Sequence, residues 1–214
     1  KKWPQSIAIV GGTHATNATR EIFHLSSVDY LVRGEAETSL PQLVKLINDE
    51  KLDEIGSVKG VYSRKSITKE KTLDLSEYPN LSELPIPAWH IFEMDRYTHN
   101  DDSKQGEGER LVEVQGIKKI RGECSIMTSR GCPFHCTFCS SFSVHGRQMR
   151  YFSIEWTKRM CKELYEKYDV SGFQIQDDLF TVDKNRTLEF LSELQNLSIP
   201  NLALHVRNAL SINT

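Results

Sequence analysis

The sequence contains no apolar run approaching the ~20 residues that a membrane-spanning helix needs. Nor does it carry an excess of one charge. Lys and Arg number 27 against 29 Asp and Glu, and a formal charge of −2 gives no electrostatic reason to expect nucleic acid or an anionic membrane as partner. Cysteine is scarce: five in 214 residues, with none before position 124, and no stretch reads as a secretory signal. These absences argue against a disulfide-stapled secreted scaffold and lead to the expectation of a reducing cytoplasm. The hydrophobic share of 38% and the charged share of 26% suit a globular domain or two small ones.

What cysteine there is lies concentrated in one place. Cys132, Cys136 and Cys139 fall within Ser129-Arg130-Gly131-Cys132-Pro133-Phe134-His135-Cys136-Thr137-Phe138-Cys139. The spacing C-x3-C-x2-C gathers three thiolates around one loop and supplies no fourth. A closed structural zinc site takes four ligands, and so does an electron-transfer iron–sulfur cluster. Three cysteines on a four-iron cubane leave one iron open to a small molecule, which is the arrangement of a reactive cluster. On spacing alone, structural zinc with His135 or His145 as fourth ligand stays open. The flanks favour the cluster: Gly131 and Pro133 bend the backbone around the first ligand, and Phe138 sets an aromatic beside the last. Cys124, in a strand, and Cys161, on a helix, read as core thiols.

The rest of the chain alternates strand and helix. Ser6 to Val10 reads as a buried parallel strand entering a Gly11-Gly12 turn, followed by a modest helix from Asn17 to Leu25. Asp29 to Gly34 reads as a second strand, and Thr38 or Ser39 caps a helix with Leu40, Leu43, Val44 and Ile47 on one face. Gly60 to Arg64 and Ser66 to Glu70 pattern as a small hairpin. From Lys71 to about Gly122 the periodicity fades; Leu84 to Trp89, with Pro85 and Pro87, reads as an extended strap, and Asp101 to Arg110 as a mobile loop. A second alternating block begins with a strand at Cys124 to Thr128 that runs into the cysteine loop. Ser153 caps a helix bearing Trp156, Met160 and Leu164. Gly172 to Asp178 forms the next strand, Asp183 caps a helix with Leu188, Leu191 and Leu194, and Leu202 to Arg207 forms a third strand. The expected class is α/β, with a Rossmann-like first block and a (β/α) barrel-like second block. The first block shows two strands of a sheet expected to have about five, the second three of roughly six to eight. The expectation is therefore a chain incomplete at both ends.

On these motifs the chain resembles the cobalamin-dependent radical S-adenosylmethionine (SAM) family. The landmarks run nearly end to end: Gly11-Gly12-Thr13-His14-Ala15-Thr16, Val28 to Glu37 with Arg33-Gly34-Glu35, Leu84 to Trp89, the cysteine loop, and Phe173 to Phe180. The resemblance implies the C-terminal part of a Rossmann-like cobalamin-binding domain over 1–75, a linker over 76–122, and a partial (β/α) radical SAM barrel over 123–214. It implies a [4Fe–4S] cluster on Cys132, Cys136 and Cys139, SAM contacts from Phe138, Asp177, Asp178 and Arg207, and cobalamin contacts from Gly11, Gly12, His14, Gly34 and Glu35. Arg147 and Arg150 are further candidates for the SAM carboxylate or ribose. The family's Asp-x-His-x-x-Gly cobalt-ligand motif does not occur in this sequence, so His14 is expected either to wall the corrin pocket or to be satisfied within the protein, and not to bind cobalt.

The implied activity is reductive cleavage of SAM and modification of an unactivated carbon, chiefly methyl transfer. A small-molecule substrate and an external one-electron reductant of flavodoxin or ferredoxin type are the implied partners. No side chain is assigned to direct catalysis, because the cofactors carry the hard chemistry. Two alternatives stand beside this reading. A radical SAM methylthiotransferase would place further cysteines in the first block, where positions 1–123 have none. A non-catalytic zinc- or cobalamin-binding module is the other.

Overall fold

The structure is a computed structural model that describes residues 6–25, 27–67, 72–98 and 122–211. The chain divides into two compact units, one of residues 1–80 and 131–149 and the other of residues 81–130 and 150–214. The segment from Leu81 packs with the second unit, and the cysteine loop from Gly131 to Met149 groups with the first.

The first unit opens with β1 (Ile9–Val10), which pairs in parallel with β2 (Tyr30–Val32). Between them lie α1 (Gly12–Asn17) and α2 (Thr19–Leu25). The expected single helix from Asn17 thus starts earlier and is broken at Ala18, whose φ of −114° and ψ of 37° leave the helical region. After β2 comes α3 (Ser39–Asn48). Thr38 stands at its N-cap, but its hydroxyl donates to the carbonyl of Glu77 (2.9 Å), not to the helix. The buried face of α3 is also rotated from the expected one: Leu43, Leu46 and Ile47 pack inward with Val32, Ile55 and Val61, while Leu40 and Val44 are exposed. β3 (Val61–Ser63) pairs antiparallel with β2, Leu31 facing Tyr62, and completes a β1-β2-β3 sheet. Residues 68–70 of the expected hairpin, and the loop from Asp101 to Arg110, lie outside the described residues.

The second unit begins with the proline strap. Leu84, Ile86 and Trp89 lay their side chains on the core, with Trp89 opening a short 3-10 turn (Trp89–Ile91), and Trp156 Nε1 donates to the Leu84 carbonyl (2.7 Å). A short α4 (Asp95–Thr98) precedes β4 (Glu123–Ile126) and β5 (Ser129–Arg130). In the chain the cysteine loop then intervenes, with its short α5 (Phe142–His145) belonging to the first unit. β6 (Arg150–Tyr151) pairs antiparallel with β5, a two-stranded ribbon that the sequence pattern does not announce.

α6 (Ile154–Tyr168) is capped as expected: the Ser153 hydroxyl accepts from the Trp156 N–H (3.1 Å), and the chain leaves the helix at Asp169 in the left-handed region. β7 (Gly172–Ile175) lies between β4 and β8 (Ala203–Val206), both parallel to it, with Cys124 beside Phe173 and Phe173 beside Leu204. α7 (Lys184–Gln195) is capped by Asp183, whose carboxylate accepts from Arg186 N–H (3.0 Å). Its inward face is Thr187, Phe190, Leu191 and Leu194, and Leu188 points outward. The parallel sheet and its helices close over Phe173, Phe190, Leu164 and Ile175, all fully buried. Each such side chain contributes about 1.5–3 kcal/mol relative to exposure. No helix among the described residues is long and apolar enough to cross a membrane.

Candidate functional site

In the second unit, the carboxyl ends of β4 and β7 are tied together by one side chain. Asp177 follows β7 and is fully buried. Its carboxylate accepts from the Thr128 N–H, the Thr128 hydroxyl and the Ser129 hydroxyl, each at 2.6 Å. A buried carboxylate is tolerated only when paired and hydrogen-bonded. The counter-charge is Arg186 on α7, which donates to the carbonyls of Thr128 (2.8 Å) and Phe152 (3.3 Å) and stacks over the Tyr151 ring at 4.5 Å. Burial pulls the Arg186 guanidinium below its ordinary pKa, and Asp177 is the foremost charge opposing that shift. The oxygens of Asp177, expected from the sequence to meet SAM, face the strand that leads to the cysteine loop. Asp178, one residue on, is half-buried, and Arg207 is exposed just after β8. Both therefore stand at carboxyl ends of parallel strands, where ligands of α/β folds bind. Asn208 closes this end by donating to the carbonyls of Gln176 and Asp177 (3.1 and 3.0 Å).

In the first unit, the three cysteines lie on one accessible loop, Cys136 exposed and Cys132 and Cys139 half-buried, all as free thiols. Phe138 is 91% exposed beside them. Gly131 opens the loop at a φ of +95°, and a Cβ there would sit 2.3 Å from the Gln148 carbonyl oxygen, so only glycine fits. The Cys132 N–H donates to the Gly146 carbonyl (3.3 Å), and the Cys139 N–H donates to the Cys136 carbonyl (3.2 Å). Among the described residues no three His, Cys, Asp or Glu side chains are already gathered around a point where a metal would sit. The donor chemistry nonetheless fits a cluster that draws its ligands together on binding: three free thiols on one accessible loop anchored at Gly131 and Gly146. The other two thiols are withheld. Burial pushes the Cys161 pKa up to about 12 and that of Cys124 up to about 11, with Glu123 adding to the latter.

The two glycine motifs of this unit engage each other. Gly11, Gly12 and His14 are exposed at the end of β1 and the start of α1. Thr16, fully buried on α1, accepts the Gly34 N–H on its hydroxyl (2.9 Å) and the Arg33 Nε–H on its carbonyl (3.0 Å). Arg33 also donates to the Leu73 carbonyl. Gly34 is buried, and a Cβ there would touch Leu75 and the Ser76 nitrogen at 3.4 Å. Glu35 is buried too, with Oε1 lying 2.8 Å from Nδ1 of His145. Gly34 and Glu35, expected as cobalamin contacts, are thus buried and engaged within the chain, while Gly11, Gly12 and His14 are exposed. Arg147 likewise turns inward on the loop, donating to the Phe134 carbonyl (2.6 Å) and stacking over Phe142 at 4.1 Å.

No family model matches the chain. A solved structure of the cobalamin-dependent SAM radical enzyme OxsB, with aqua-cobalamin and SAM bound, superposes with a TM-score of 0.62 at 20% identity over 90% of this chain and 24% of that one. The chain has the fold of the cobalamin-dependent radical SAM enzymes. The radical SAM methyltransferase TsrM from Kitasatospora setae, solved with cobalamin and a [4Fe–4S] cluster, shares this fold at a TM-score of 0.59 and 16% identity, over 92% of this chain and 36% of that one. In sequence, an uncharacterized methyltransferase of Pyrococcus horikoshii is 29% identical over 185 residues, covering 85% of this chain and 35% of its own. The chain spans about a third of the length of the curated relatives it matches.

Within this radical SAM fold, four contributors were not singled out by sequence reasoning: Thr16, Arg186, the Glu35–His145 pair and the inward use of Arg147. Arg186 lay three residues beyond a recognised helix cap, and Thr16 inside a recognised motif. Their partners, far along the chain, are what give them their roles.

Proposed function

We propose that this chain carries the cluster-binding and cobalamin-facing segments of a cobalamin-dependent radical SAM enzyme that modifies an unactivated carbon, with methyl transfer as the reaction. The observation that supports this most directly is the donor set: three accessible thiols at Cys132, Cys136 and Cys139, with Cys161 buried and Cys124 held protonated. Bound [4Fe–4S] and cobalamin supply, respectively, the electron that cleaves the C–S bond of SAM and the methyl group for transfer.

The chain's own residues bind and orient. Cys132, Cys136 and Cys139 would hold the cluster and leave it an open site for SAM. Phe138 is assigned to the adenine, Asp178 to the SAM ammonium, and Arg207 to its carboxylate or ribose. Asp177 and Arg186 fix the strand that leads into the loop. Gly11, Gly12 and His14 are assigned to the corrin, the first block through residue 75 acting as the cobalamin-facing part and the segment from 123 as the radical SAM part. A small organic substrate and a low-potential flavodoxin- or ferredoxin-type reductant complete the reading.

The test is anaerobic reconstitution with iron and sulfide. A brown protein with about four irons and four sulfides per site is expected. Cys132→Ala, Cys136→Ala or Cys139→Ala should each abolish colour and SAM cleavage, and Cys161→Ala should keep both. Stoichiometric zinc with no uptake of iron would overturn the proposal.

A further inference from the structure

Three consecutive residues after the cysteines, His145-Gly146-Arg147, each hold a different part of the loop's surroundings. His145 closes α5, and its ring reaches the buried Glu35 at 2.8 Å. The Gly146 carbonyl accepts the N–H of Cys132, the first thiol of the loop. Arg147 reaches back thirteen residues to the carbonyl of Phe134, midway between Cys132 and Cys136, and its guanidinium lies over Phe142. Gly146 is itself confined, since a Cβ there would lie 3.0 Å from the Tyr78 hydroxyl.

The far end of this latch is rigid. Glu35 follows Arg33 and Gly34, which are pinned to the buried Thr16 by the Arg33 Nε–H and the Gly34 N–H. The side chain of Glu35 is 1% exposed, whereas that of His145 is 25% exposed. The carboxylate is therefore the fixed partner and the imidazole the part that docks onto it. A buried carboxylate is costly to leave short of a hydrogen bond, so the His145 ring, 2.8 Å from Glu35, helps specify where the loop docks. A loop that must bring three thiols onto one cluster needs such specification, because ligand groups are oriented by the residues behind them.

We infer that Glu35, acting through His145, and Arg147, acting through Phe134, are positioning residues of the three-cysteine loop, so that the Arg33-Gly34-Glu35 motif serves the cluster and not the corrin. This rests on the cluster reading proposed above. The motif that resembles a cobalamin contact is then the mount on which the cluster loop sits. Arg147 stiffens the stretch between the first two thiols, and Glu35 fixes where its far end docks.

The experiment uses the full chain, reconstituted anaerobically with iron, sulfide and cobalamin, as parent, Glu35→Ala, Glu35→Gln, His145→Ala and Arg147→Ala. Four quantities are read: iron retained against a chelator, bound cobalamin, the EPR spectrum of the reduced protein with and without SAM, and the melting temperature. Glu35→Ala is expected to lose about 10-fold or more in iron retention, the scale for residues that orient metal ligands. It should also lose the SAM-dependent change in the EPR spectrum while keeping parental cobalamin. Glu35→Gln, which still offers an oxygen to the His145 ring, should recover most of the iron retention. Arg147→Ala should repeat the iron loss, and His145→Ala, which removes the docking ring and leaves Glu35 in place, decides the role of Glu35 if Glu35→Ala does not fold. Parental iron retention and spectrum in Glu35→Ala overturn the inference, and a loss of cobalamin alongside them would return Glu35 to the corrin. Parental iron retention in Arg147→Ala overturns the role of that residue. A parent that takes up no iron would overturn the cluster reading itself, a failure distinguishable from all of these.

Discussion

Replacing Asp177 by Asn changes a buried carboxylate into an amide of almost the same shape, so packing is conserved and electrostatics are isolated. Three hydrogen bonds of 2.6 Å end on the carboxylate, from the Thr128 N–H and the Thr128 and Ser129 hydroxyls. Bonds to a charged acceptor contribute about 1.5–3 kcal/mol each, and neutral ones about 0.5–1.5 kcal/mol. If the amide oxygen keeps the Thr128 N–H and the hydroxyls rotate to accept from its NH2, each bond loses about 1 kcal/mol, or about 3 kcal/mol in all. Arg186, with its guanidinium half-buried and facing Asp177, also loses its principal counter-charge, which adds to the cost. For a chain of this size about 3 kcal/mol corresponds to a fall in melting temperature of roughly 6–12 °C. Thermal and urea unfolding followed by circular dichroism measure it. Asp177→Ala should cost more, because the Thr128 N–H is then left without a partner. An Asp177→Asn protein as stable as the parent but weaker in SAM binding would refute the anchoring role and restore the ligand contact expected from sequence.

Three other outcomes are expected. In the native protein without cluster at pH 8, iodoacetamide should alkylate Cys132, Cys136 and Cys139 within the time that spares Cys161 and Cys124. A raised pKa leaves less thiolate at a given pH, about one part in a thousand for Cys124 at about 11; mass spectrometry of the peptides reads the order, and fast labelling of Cys161 would contradict its burial. Gly11→Val should reduce bound cobalamin without loss of iron, since Gly11 is exposed in extended backbone (φ −152°) and accepts a Cβ without strain; parental cobalamin content would remove Gly11 from the corrin contacts. The same substitution at Gly12 would confuse strain with binding, because its φ of +88° suits glycine whatever the ligand. Ser153→Ala should destabilise by about 1 kcal/mol through the lost α6 cap, with Ser153→Asp recovering most of it in urea unfolding; no difference between the two would show that the cap bond to Trp156 contributes nothing.

The amino-acid sequence by itself determined the features whose physical causes are local. The three-thiol loop is legible because its donors are a few residues apart, whatever surrounds them. The caps at Ser153 and Asp183 are legible because a cap bonds the turn that follows it, and the strands at Tyr30, Gly172 and Ala203 because their apolar runs are bounded by glycine or polar turns. Periodicity gave the helices but not which way they face: Leu188 fits the same repeat as Leu191, yet it points outward, and Leu43 is buried while Val44 beside it is not. A period fixes spacing, and only the position of the neighbouring sheet fixes phase. The site shows the same division. Asp177 and Asp178 are adjacent and chemically identical, and what makes the first an anchor is Thr128, 49 residues away in the chain. Glu35 belongs to a motif that resembles a cofactor contact, and its partner His145 lies 110 residues on. Burial and hydrogen bonding at such separations are settled by the packing of the chain on itself, so only the tertiary structure could assign those side chains their work.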